Sequence, residues 1–218
     1  MRLLAIETAT EACSVALVAG EQCLQRVEIG SRIHAGVLLP WTAELLAEAG
    51  LAYADLDGVA VDRGPGGFTS LRLGLGVAQG IGMAHDAPIW PVSSLAALAH
   101  AARPSDFRGR MLAALDARMG EVYAGWFSFA KDRMHAIGDE VLCAPGALRP
   151  LDDGPFIAAG SAFSSYRAEL LSALGDGLEG EPVDAWPTAL AVADLAAGTT
   201  SVAAHELEPT YLRDRVTG

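Results

Sequence analysis

Along this chain short apolar runs alternate with polar turns, and two longer stretches carry helical spacing instead. Residues 3–6 and 13–18 are apolar and are joined by Glu7-Thr-Ala-Thr-Glu-Ala12, which predicts a strand, a turn and an antiparallel return. Residues 22–29 alternate well enough for a third strand. In residues 34–49, Val37, Leu38, Trp41, Leu45 and Leu46 recur at helical spacing and Gly50 supplies a stop. Pro40 predicts a kink there or the true start of the helix, because proline lacks the N–H that a helix interior uses. Residues 56–61 read as a buried strand, followed by a glycine-rich turn and a helix to about Ala84 with Thr69 or Ser70 as its cap. Residues 87–92 predict another strand, and Ser93-Ser94 open an alanine-rich helix to Ala102. The loop 103–106 is the expected boundary between an N-terminal lobe, 1–103, and a C-terminal lobe, 104–218.

Past that loop the opening theme returns. Residues 111–115 end in Asp116, turn through 117–120 and go back out as 121–127, with Asp116 placed 109 residues after Glu7. A repeat of this size predicts two related half-domains. Residues 134–143 supply the matching third strand and 156–159 a short further one. Pro187 at N1 and Gly198 at C′ bound a last helix, for which packing back on the N-terminal lobe stays open, and 208–213 form a short extended tail.

Residues 62–84, DRGPGGFTSLRLGLGVAQGIGMA, hold seven glycines at a strand-to-helix turn. Free backbone N–H groups converge at such a turn and suit an anion. The specific signatures fail, however. A P-loop needs Lys-Ser/Thr after its last glycine, where Gly66-Gly67 is followed by Phe68-Thr69, and Gly74-Leu75-Gly76 reaches its next glycine only at Gly80. Gly74, Gly76, Gly80 and Gly82 inside the helix each disfavour it by about 1 kcal/mol against alanine. Close packing is the expected compensation, with Gly74, Ala78 and Gly82 on one face and Gly76 with Gly80 on another. Either the helix packs only on its own sheet and neighbours, or one small-residue face meets another protein.

Composition narrows the function classes. The 218 residues are 51% apolar, enough for one or two compact domains. Lys plus Arg is 15 against 27 for Asp plus Glu, a net charge of −12, so nucleic acid is not expected to meet most of the surface. A local patch near Arg103, Arg108 and Arg110 is the exception left open. The first residues are too short an apolar run for a signal peptide and no window offers a membrane span, so a soluble cytoplasmic protein is expected. Cys13, Cys23 and Cys143 form no C-x-x-C pair and suggest neither disulfides nor zinc.

Duplicated lobes opening with strand, acid, turn and strand are the ground plan of the actin-like and sugar-kinase ATPases, so the expected fold is α/β, a two-lobed, duplicated actin-like (ribonuclease H-like) one. In that plan Glu7, Arg63, Asp116, Arg118 and Glu121 are candidates for an inter-lobe cleft. No glycines follow either acid for close approach to phosphate, and no His-rich or acid-rich cluster supplies a metal. LAIETATEACSVAL, GPGGFTSLRLGLGVAQG, PVSSLAALA, LDARMGEVY and PTYLRDRV together resemble the TsaB (YeaZ) family over nearly the whole chain, most weakly from 128 to 178. The resemblance implies a non-catalytic scaffold that binds the catalytic paralogue TsaD as a heterodimer. With the ATPase TsaE, that pair transfers threonylcarbamoyl to adenosine-37 of tRNA. It further implies no cofactor, no membrane contact, only indirect contact with tRNA, and a homodimer when the chain is alone. Where TsaD-like sequences carry a His-x-Glu-x-His metal motif, this chain has Ser94, Ala96 and Leu98, which cannot hold iron or zinc. It departs from the family pattern at Glu7, usually Asp, and at Gly67 and Ser70, where Ser and Gly are usual.

Under this resemblance the expected partner interface is Val37, Trp41 and Leu45 on the first helix with Gly74, Val77, Ala78 and Ile81 on the second. An independent ATPase using Glu7 and Asp116 is the alternative, and an M22-like metallopeptidase a more distant one. His34 is read as a capping or packing residue against a ligand or base, and Arg63 and Arg72 as structural ion pairs against anion binding. Ser93 or Ser94 is read as a helix cap, since no His and Asp complete a triad.

Overall fold

The computed structural model describes residues 1–131 and 133–213. They fall into two compact units, Met1–Ala97 with Pro187–Thr210, and Leu98–Trp186 with the segment from Tyr211 on. The break lies within a helix, earlier than the loop at 103–106, and the last helix belongs to the first unit.

The first unit begins with β1 (Arg2–Glu7), β2 (Ala12–Ala19), β3 (Gln22–Ile29), α1 (His34–Glu48), β4 (Gly58–Asp62), α2 (Phe68–His85), β5 (Ile89–Val92) and the start of α3 (Ser94–Ala102). The second holds β6 (Gly109–Arg118), β7 (Glu121–Ala130), β8 (Arg133–Cys143), β9 (Ile157–Ala159), α4 (Ala162–Ser165) and α5 (Arg167–Leu174), after which α6 (Ala189–Ala196) returns to the first.

The first sheet runs β3-β2-β1-β4-β5, antiparallel through β1 and parallel beyond it. The second runs β8-β7-β6-β9 with the same change of direction. Two isolated parallel bridges, Phe156 to Leu178 and Ala159 to Val183, stand where a fifth strand would lie. Period-2 alternation sorts the first sheet's core, since successive strand residues point to opposite faces. Leu4, Ile6, Val59 and Val61 pack with Leu38, Leu45 and Leu46 of α1 and Leu71, Leu75, Ala78 and Ile81 of α2. Leu3, Ala5 and Ala60 pack on the other side with Ala189, Val192 and Ala196 of α6. The second unit has its own core around Leu112, Val122, Trp126, Phe156 and Leu170.

Helix ends differ from the expectation in three places. α1 runs through Pro40 from His34, so Pro40 is not its start. Pro40 and Gly36, whose carbonyl loses its helical donor, are both exposed, so water can serve that carbonyl. α2 begins at Phe68 with Gly67 as its cap; Ser70 Oγ instead donates back to Gly67 O at 3.3 Å. Thr188 caps α6 by accepting from Ala191 N, which puts Pro187 outside the helix rather than at N1. Ser93 does cap α3, accepting from Ala96 N at 3.1 Å.

Candidate functional site

β1 and β4 are parallel neighbours in the register Ile6 to Val61, so Glu7 and Asp62 close adjacent strands at their carboxyl ends. Open α/β sheets place ligand sites at that edge. Both acids are buried. Asp62 accepts from Thr8 N at 2.9 Å and from the hydroxyls of Thr8 at 3.4 Å and Ser94 at 3.5 Å. Glu7 accepts from Ala9 N at 2.9 Å through Oε1, while Oε2 has no partner. Burial pushes the Asp62 carboxyl up to about 7, against the pull of those donors. Burial, and then repulsion from Asp62, raises Glu7 well above the usual carboxylate range. Asp62, with three donors against the one on Glu7, is the acid of the pair better placed to carry charge. Cys13, beside them in the core, is pushed up to about 12 by burial and then by Glu7, Asp62 and Glu28.

The glycine turn closes over this pair instead of opening to an anion. Gly67 N–H donates to Ala9 O at 2.7 Å, a Cβ on Gly66 would collide with Ala9, and one on Gly74 would collide with Thr8 Oγ1. The β1–β2 turn therefore fills the hollow that a phosphate would need. Arg63 is exposed and uses its backbone, donating to Val92 O and accepting from Thr210 N; among the described residues no ion pair engages it. Arg72 lies over the Phe68 ring and donates to Phe68 O. His34 is buried with Nε2 at 3.2 Å from Ala12 O, a packing role.

In the second unit Asp116 occupies the matching strand end with a full set of donors. It accepts from Arg118 N at 2.7 Å, Arg118 Nη1 at 3.1 Å, Ser165 Oγ at 3.0 Å and Tyr166 OH at 3.1 Å. Its own N–H donates to Ser161 Oγ at 3.2 Å. Arg118, Met119 and Gly120 all take positive φ to make the tight turn. Glu121 pairs with Arg213 at 2.7 Å, and Arg213 also donates to Ala117 O at 3.1 Å, so the chain's last described residue clamps the turn. Of the five expected cleft residues, Glu7 and Arg63 lie in the first unit and Asp116, Arg118 and Glu121 in the second. Asp62, Ser165, Tyr166 and Arg213 were not singled out from the sequence; Asp62 opens the glycine-rich stretch 62–84 and Arg213 lies within PTYLRDRV, whereas Ser165 and Tyr166 lay where the sequence carried no signal.

Four of the expected interface residues are corrected by burial. Leu45, Gly74, Ala78 and Ile81 face the chain's own sheet, with Ala78 at 0% exposure. A Cβ on Gly82 would meet Ala204 and Ile89 at 3.0 Å, so the whole Gly74-Ala78-Gly82 face is internal packing. Val37, Trp41 and Val77 are half-buried against the same core. What α1 and α2 expose is a different stripe: Ala35, Gly36, Leu39 and Ala43 on the first, Phe68, Gly76, Gly80 and Met83 on the second. Leu39 is 56%, Phe68 53% and Met83 72% exposed, and nothing lies within 4 Å of a Cβ built on Gly36, Gly76 or Gly80.

On α3, Ser94 is bonded to Asp62 and Leu98 is buried, and neither these nor Ala96 offers the imidazole or carboxylate a metal requires. Among the described residues no group of three or more His, Cys, Asp or Glu could hold a metal ion, and no helix is long and apolar enough to cross a membrane.

The family described as "TsaD: tRNA N6-adenosine threonylcarbamoyltransferase" matches residues 27–212. The tRNA threonylcarbamoyladenosine biosynthesis protein TsaB of Haemophilus influenzae is 35% identical over 230 residues, covering 100% of this chain and 95% of that protein. The TsaB of Escherichia coli is 34% identical, with 99% and 96% covered. The solved structure of YeaZ from Pseudomonas aeruginosa superposes with a TM-score of 0.85 at 37% identity, covering 97% of this chain and 99% of that one. The mixed α/β architecture with two like-ordered sheets is thus the duplicated ribonuclease H-like, actin-like fold, and this chain belongs to the TsaB (YeaZ) family.

Proposed function

We propose that this chain is a cytoplasmic, non-catalytic subunit of the machinery that makes N6-threonylcarbamoyladenosine in tRNA. It docks a catalytic TsaD-like paralogue through the outward stripe of α1 and α2 and works with a TsaE-like ATPase. The observation that carries this is the pair Gly76 and Gly80. Each disfavours the helix by about 1 kcal/mol against alanine, yet no atom of the described residues lies within 4 Å of the Cβ that either position lacks. A second backbone approaching the helix accounts for both glycines. Exposed Leu39, Phe68 and Met83 surround them with apolar surface suited to burial. In the absence of the paralogue a second copy of this chain covers the same stripe. The chemistry belongs to the partner: Glu7 is sealed, Asp116 is saturated by donors, and α3 carries no metal ligands. No contact favours the ATPase or metallopeptidase alternatives.

The test is reconstituted threonylcarbamoyl transfer with TsaD and TsaE homologues, tRNA, ATP and threonylcarbamoyl-adenylate, with and without this chain, and sizing of each mixture. Modification that depends on the chain, together with a heterodimer, is the expected result. Gly80→Arg, at a site with open space, should abolish both while leaving the monomer folded. Normal modification without the chain, or an intact heterodimer with Gly80→Arg, overturns the proposal. A charge at Ala78 cannot serve as the test, because that side chain is enclosed and the monomer itself would fail.

A further inference from the structure

The second unit carries a shallow cleft lined by Arg103, Asp106, Phe107, Arg108, Phe129 and Arg133. Its floor is built before any ligand arrives. Buried Phe129 holds the Arg103 guanidinium 5.7 Å from its ring centroid and meets Phe107 edge-on at 5.8 Å. Gly109, at φ +149°, lets the Phe107 ring lie over the backbone, where a Cβ would stand 3.0 Å from it. Arg108 and Arg133 are exposed, and among the described residues no ion pair engages either of them or Arg103. Arg110, of the same sequence run, is already taken by Asp152 at 2.6 Å and Pro155 O at 3.3 Å. Among the described residues that line it, three guanidiniums thus face one carboxylate, Asp106, in a chain whose net charge is −12.

We infer that this cleft binds the phosphodiester backbone of an RNA strand, with Arg108 and Arg133 on phosphate oxygens and Phe107 against the adjoining ribose or base. Guanidinium forks match phosphate oxygens in pairs, and an aromatic face beside them suits a nucleotide unit. One carboxylate is too few to hold the magnesium that accompanies a nucleoside triphosphate. The acidic remainder of the surface confines RNA to this place and leaves the rest of the strand to the partner. The identity of the RNA as the tRNA substrate rests on the function proposed above, and the contact is direct where the sequence implied only an indirect one.

The test is titration of a fluorescent tRNA with the heterodimer, using wild type, Arg108→Ala/Arg133→Ala, Arg108→Glu, and Arg167→Ala as a control on the same unit, with sizing of every sample. The double variant and the reversal should each lower affinity about 10-fold, and the double variant should reduce the log–log salt slope by about 2. Arg167→Ala should match wild type. Unchanged affinity and slope in an intact heterodimer overturn the cleft and leave the subunit role standing. Should wild type form no heterodimer, the subunit role fails, and the same titration on the single chain decides the cleft by the same drop or its absence. Loss of the heterodimer by folded double variant, with tRNA affinity kept, makes the cleft a protein contact and overturns the inference.

Discussion

The two units open in the same way and end in opposite states. Each lays down a strand, an acid, a turn and an antiparallel return, and each orders its sheet alike around that pair. Yet Glu7 is buried with one backbone donor, an oxygen without a partner and a second carboxyl beside it. Asp116 instead collects four donated hydrogen bonds. The strand fixes where an acid sits; the segments arriving later fix how many donors meet its oxygens. Asp116 owes its state to Ser165 and Tyr166, 49 and 50 residues further on. Glu7 owes its own to Asp62 and to the β1–β2 turn packed under Gly66 and Gly67.

The largest effect is expected from Asp116→Ala, which strands the donors of Arg118, Ser165 and Tyr166. Loss of about 3 kcal/mol should appear as faster hydrogen exchange in β6 and β7, with β1 and β4 unchanged. Equal change in both units would break the comparison. Next comes the pH dependence of the first unit. The folded state holds Asp62 and Glu7 protonated above their unfolded values, so it binds more protons than the unfolded chain. Stability from this pair is therefore full below about pH 4 and is lost as pH rises toward 7. Glu7→Gln keeps the acceptor for Ala9 N and removes the repulsion. It should flatten that fall in thermal unfolding and stabilise the chain at pH 8 relative to wild type; an unchanged slope would show that the two acids do not interact. Arg213→Ala should cost about 1 kcal/mol, read as faster exchange at the 117–121 turn alone. Smallest is the pair of α2 faces: Gly80→Ala should stabilise the monomer by up to about 1 kcal/mol while weakening the heterodimer in sizing, whereas Gly74→Ala, driven into Thr8, should destabilise the fold.

Much of the architecture was legible in the residues. Apolar and alternating runs gave β1, β2, β3, β4 and β8 to within a residue or two, and the recurrence of strand, acid and turn gave the duplication. The helix ends were less so, because Gly67 and Thr188 compete as caps with Thr69, Ser70 and Pro187, and local preferences of neighbouring residues are too similar to choose. The domain boundary was misplaced because α3 runs without a composition break from one unit into the other.

The sequence by itself determined that α2 carries two small-residue faces, that both units end a strand in an acid, and that no metal motif stands on α3. Spacing and side-chain chemistry are local, and these follow from them. Only the tertiary structure decided which glycine face is packed and which is open, since a missing side chain is defined by what lies against it: Thr8, Ile89 and Ala204 meet one face and nothing meets the other. The same holds for the acids, whose hydrogen-bond donors are brought within reach by segments distant in the chain.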